Sequence, residues 1–197
     1  MTPETVQLAA ESGMRCCATF WGLDIAFELF LAGLAGGLMI LPRAAQTRRW
    51  AFAALALAGL VLFLHLGQKS AALWFYASFQ PQAPMWWGAW LFALALAALV
   101  VWDRRPALNW LRVPVALLGA GLVIYPGIML GSLAARPAWH PVWTPVSFTI
   151  LSLGSAAALL VLLDPRLRLR PAWSTSATLV LLITLATRAA ILLSGQG

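Results

Sequence analysis

TFWGLDIAFELFLAGLAGGLMIL, residues 19–41, decides the fold. As an α-helix this stretch rises about 34 Å, enough to cross a hydrocarbon core of roughly 30 Å. Five further apolar stretches of similar length follow, over residues 50–66, 86–102, 113–133, 142–163 and 173–193. Apolar runs this long satisfy their backbone in lipid only as helices or as a closed barrel, and a barrel needs a period-two alternation that these runs lack. The expected fold is an all-α integral membrane protein, a bundle of about six transmembrane helices forming one transmembrane domain over residues 1–197.

Composition agrees. Of the 197 residues, 62% are hydrophobic and only 10% charged, and the mean hydropathy is +0.85, outside the usage of soluble domains. A net charge of +7 would point a soluble protein toward nucleic acid. Here the arginines fall in short clusters between apolar runs, where they set orientation, and nucleic acid is disfavoured. Cys16 and Cys17 are adjacent, which strains any bridge between them, and there is no second pair with metal-ligand or disulfide spacing. The first fifteen residues carry Glu4 and Glu11 before Arg15, the wrong charge order for a cleaved signal peptide, so Met1 is expected to belong to the mature chain.

Prolines punctuate the runs: Pro42, Pro81, Pro84, Pro106, Pro137, Pro141, Pro165 and Pro171 lie between them. Most tryptophans sit near run ends, as an interfacial belt requires. The first, third and fifth connections hold Arg43, Arg48 and Arg49; Arg104, Arg105 and Arg112; and Arg166, Arg168 and Arg170. The alternate side holds Arg15, Lys69 and Arg136. The positive-inside rule then puts both termini on the outer (periplasmic) side of a multi-pass protein of the bacterial inner membrane. The stretch QKSAALWFYASFQPQ, residues 68–82, reads either as a continuation of the second helix or as an amphipathic piece on the outer interface.

An ionisable residue inside a span is costly and is a functional candidate by default. Asp24 and Glu28 lie about 8 and about 14 Å below the outer end of the first span, one helical turn apart on one face. His65, Tyr125 and Arg188 fall in the outer half or near the midplane of the second, fourth and sixth spans. The inner halves are nearly free of such groups, so protons handled here communicate with the outside. Two roles are open to Asp24 and Glu28: pairing with Arg188 or Lys69 to hold helices together, or handling a ligand and its protons. His65 reads as a capping histidine or as a site residue, and Tyr125 as a tyrosine bonded to a backbone carbonyl or as a site residue. His140, between Trp139 and Pro141, reads as a surface residue. A bis-histidine haem needs two imidazoles at similar depth, and with only His65 and His140 present no haem is expected; too few cysteines exist for an iron–sulfur cluster. Gly33, Gly36 and Gly37 form a smooth face for close helix packing.

Three ordered motifs carry a resemblance. WGLDIAFELFLAGLAGG (residues 21–37), HLG (65–67) followed by WWGAW (86–90), and YPGIML (125–130) with the later PAWHPVWTPVSF resemble the conserved segments of the NrfD-like polysulfide reductase membrane subunits. The resemblance covers nearly the whole chain. It implies a quinone-handling subunit, not catalytic alone, whose cofactor is a quinone (menaquinone or ubiquinone). It also implies an iron–sulfur partner subunit, often with a molybdopterin catalytic subunit, and a quinone site near the outer face, with Tyr125 and polar groups of the first helix contributing. The family usually has eight or more helices, against six here, and an arginine and a proline after HLG, where this chain has Gln68 and Lys69.

On this reading Tyr125, His65 and Arg188 form the quinone site and Asp24 with Glu28 relays protons. The rival readings are a purely structural anchor and a small transporter. The transporter needs a polar path to both faces, which the apolar inner half opposes.

Overall fold

The computed structural model of the chain describes residues 22–41, 45–65, 82–132 and 139–194, with the backbone alone at His65 and Pro84. Six long helices appear among them: α1 (Leu23–Ile40), α2 (Ala45–His65), α3 (Pro84–Arg104), α4 (Arg112–Gly131), α5 (Trp143–Leu163) and α6 (Pro171–Ser194). All six are long and apolar enough to cross a membrane. A 3₁₀ turn, Asn109–Leu111, precedes α4, and one helical turn, Pro165–Arg168, joins α5 to α6.

The helices outrun the apolar runs where their first turns are polar. α2 starts at Ala45 rather than at residue 50, and Gln46, Thr47, Arg48 and Arg49 make up that added turn. Hydropathy marks the part of a helix that suits lipid; the backbone continues into the headgroup layer. Pro84 and Pro171 open α3 and α6, positions where a missing N–H costs nothing. Pro126 stands inside α4, and the helix runs through it, as neighbouring helices permit in membranes.

α1 is the axis of the bundle. Some 67% of its span is buried, against 22–39% for the other five, and it packs on α2, α4, α5 and α6, while α3 bridges α2 and α4. Its glycines make this possible, although they do not form one face as expected. On Gly36 a Cβ would fall 2.8 Å from the Gly119 carbonyl of α4, and on Gly119 it would fall 2.7 Å from that of Gly36, so the two backbones touch. Gly37 turns instead to α5, where a Cβ would lie 2.6 Å from that of Ala156. Adjacent helical positions differ by about 100° in direction, and α1 uses that difference to hold two neighbours. Gly127 brings α4 equally close to the backbone of Pro145 in α5.

The connections at one end of the bundle carry the arginine clusters. There α2 and α3 are tied by Arg49, 3.5 Å from Asp103, and by the Arg48 guanidinium stacked 4.8 Å from the Trp102 ring. Both groups of the ion pair are largely exposed, so the tie is weak. At the opposite, far end, the loop before α5 is fastened by Trp139, whose indole N–H donates to the Ile191 carbonyl at 2.9 Å.

Candidate functional site

The far end gathers the polar interior. Glu28, about one and a half turns into α1, is buried, with 9% of its surface exposed. Among the described residues its carboxyl has no hydrogen-bond partner. Tyr125 of α4, half-buried, lies toward the same end, since α1 and α4 run antiparallel past the Gly36–Gly119 contact and both residues stand on the far side of it. The phenol's hydrogen bond goes to the thioether of Met129, at 3.5 Å, a weak acceptor rather than the backbone carbonyl that sequence reasoning allowed. The ring is seated over Gly88 of α3, where a Cβ would overlap it. Beside that glycine, Trp86 packs edge-on against Trp87 and Trp90, with centroids 5.1 and 6.2 Å away. WWGAW and YPGIML, far apart in the chain, thus meet at Gly88 and Tyr125, and FELFLAGLAGG packs on the helix that carries YPGIML.

Asp24 is half-buried in the first turn of α1, where the helix dipole favours a carboxylate; its side chain folds back toward Gly22. His65 ends α2, which packs on α1 and α3, so its backbone lies at the same end as Glu28 and Trp86.

Arg188 is placed differently. It is fully buried, with 0% exposure, in the seam of α1, α5 and α6. One guanidinium nitrogen donates to the Leu29 carbonyl. The other donates to the Ser152 hydroxyl at 2.5 Å and to the Phe148 carbonyl at 3.4 Å. The rings of Phe148 and Phe30 flank the charge at 5.2 and 6.0 Å. The head fits because position 33 is glycine: a Cβ there would fall 2.5 Å from both the guanidinium and the Ser152 hydroxyl. Among the described residues Arg188 makes no ion pair with Glu28. The reason is angular, since Glu28 and Gly33 point about 140° apart around α1. The structure therefore sets Glu28 and Tyr125 toward the same end of the bundle and places Arg188 in the separate seam of α1, α5 and α6.

Ser152 and Gly88 were missed in the sequence. A serine in a span ordinarily bonds its own helix, and Ser152 also donates to the Phe148 carbonyl at 2.7 Å, so nothing in the string marks it. His140 accepts from the backbone N–H groups of Val142 and Trp143 through Nδ1, at 3.2 and 3.4 Å, a capping role at the start of α5. Cys16, Cys17, Gln68, Lys69 and the rest of the stretch through residue 81 lie outside the described residues.

Six membrane-length helices built on glycine-rich α1, with a buried acid and a half-buried phenol toward one end, define a multi-pass membrane protein with polar groups inside its spans. The polysulfide reductase family model matches residues 8–195, and the chain belongs to this family of NrfD-like membrane subunits. It is accordingly a membrane subunit of a respiratory oxidoreductase complex, associated with other subunits of that complex. Comparison with curated proteins finds no match.

Proposed function

We propose that this subunit binds quinone or quinol at the far end of the bundle and exchanges its electrons with an iron–sulfur partner subunit on the outer face, with a molybdopterin subunit beyond. The reading is carried by the placement of Glu28 and Tyr125 toward one end of the packed helices α1 and α4: the buried carboxyl has no hydrogen-bond partner among the described residues, and the half-buried phenol donates only to a thioether. Buried polar groups are normally satisfied, and an unused pair fits a ligand with carbonyl oxygens. When bound, a quinone supplies two-electron, two-proton redox chemistry.

In this reading the Tyr125 hydroxyl donates to one ligand oxygen and His65 serves the other. Glu28 takes or gives a proton at that oxygen, and Asp24, one turn nearer the surface, passes it to the outside. Arg188 contributes its charge from behind α1 without touching the ligand. The arginine-poor end is then periplasmic, in a bacterial inner membrane.

The test uses the intact complex with Tyr125→Phe and His65→Ala. Quinol-linked turnover is expected to fall by roughly 10²-fold or more, while turnover with an artificial dye acting directly on the partner subunits persists. Unchanged quinol-linked turnover in both variants would leave the chain as an anchor only.

A further inference from the structure

The arginine-bearing end holds a cleft of about 470 Å³ between α2 and α5, over the end of α1. Its volume is within the range of ligand sites, roughly 300–1,000 Å³. Ala157, Leu160 and Leu167 give it an apolar wall, and Thr47 with Asp164 gives it a polar mouth. The turn at that mouth carries Arg166, Arg168 and Arg170, all exposed, and among the described residues none of the three makes an ion pair. The lining's one charged side chain is Asp164, whose carboxylate accepts from the Arg166 backbone N–H at 2.9 Å; its single negative charge stands against three arginines on the turn, which leaves the mouth net positive. Leu169, 81% exposed, and Trp173, 52% exposed, flank the arginines, as suits a turn lying in the headgroup layer.

An apolar wall closed by a turn that carries three guanidinium groups, none in an ion pair among the described residues, suits an amphiphile with a negative head. Free phosphate has no use for the wall, and a neutral lipid has none for the charges. We propose that this cleft is a binding site for an anionic phospholipid, with an acyl chain along α5 and the phosphate at the Arg166–Arg168–Arg170 turn. Basic pockets between membrane helices take such headgroups. The site lies at the opposite end from Glu28 and Tyr125 and does not rest on the quinone reading.

The test is native mass spectrometry of the purified full chain in detergent with phosphatidylglycerol or phosphatidylcholine of matched acyl chains. The wild type is expected to retain phosphatidylglycerol over phosphatidylcholine by at least about tenfold. Replacing Arg166, Arg168 and Arg170 together by glutamine abolishes that preference. Ala157→Trp fills the cleft and lowers phosphatidylglycerol retention, whereas Ile150→Trp, at an exposed position of α5 away from the cleft, leaves it unchanged. Ala157 faces outward, so both tryptophan variants are expected to fold. Equal retention of the two lipids by the wild type overturns the proposal, as does a preference that survives the arginine replacements. Phosphatidylglycerol retention unaffected by Ala157→Trp also overturns it.

Discussion

Arg188 is the residue whose surroundings are most specific. A fully buried guanidinium is tolerated because its planar fork reaches three oxygens on two neighbouring helices at once. Lysine keeps the charge but not the fork. Arg188→Lys is expected to lower the unfolding free energy in detergent by about 1–3 kcal/mol, through acceptors left unsatisfied. Gly33 and Arg188 share one space, so Gly33→Ala is costly in the wild type and costs less when Arg188 is alanine, with the Ser152 hydroxyl then the remaining obstacle. A double-mutant cycle should show a coupling of about 0.5–3 kcal/mol, and simple additivity would contradict the packing described. Gly88 bears on Tyr125 in the same manner. Gly88→Val displaces the phenol ring and is expected to reduce quinol-linked turnover nearly as far as Tyr125→Phe, with the complex still assembled; full turnover would show that the ring's position is immaterial.

At the scale of elements, close approach separates glycines that matter from those that do not. Gly127 faces the Pro145 backbone, where a Cβ would overlap it, whereas a Cβ on Gly154 meets nothing within 4 Å. A side chain can turn aside but a backbone cannot, so Gly127→Leu must part α4 from α5. Its expected cost is about 1–3 kcal/mol or more, against a change within about 0.5 kcal/mol for Gly154→Leu; thermal unfolding of the two variants compares them directly. Together with Pro126 inside the helix and Tyr125 beside it, Gly127 makes YPG one packing device: the phenol turned to α3, the glycine to α5.

The whole molecule is polarised along the bundle axis. One end carries the arginine connections and the cleft; the other gathers Glu28, Tyr125 and the tryptophan cluster. The charges predict the orientation in the membrane. Single cysteines placed at Ala107 and at Leu169 are expected to label only from the cytoplasmic side, and a cysteine at Val142 only from the outside. The reverse pattern would put the polar site on the cytoplasmic face and remove the outer-face partner from the proposal.

The sequence by itself determined the membrane class, the six spans, the bias of charge between the two ends and the family, because each depends on the chain's local composition or on short ordered motifs. Its candidates at the far end were legible for the same reason: a lone carboxyl or phenol in an apolar run stands out. What only the tertiary structure decided is which of them face one another. Neighbouring positions on a helix point about 100° apart, so whether Glu28 turns toward Arg188 or away from it depends on how α1 is turned among its neighbours. That rotation is set by backbone contacts at Gly36, Gly37 and Gly119. Ser152 and Gly88 acquire their roles only through residues more than thirty positions away, and no local pattern encodes such a meeting.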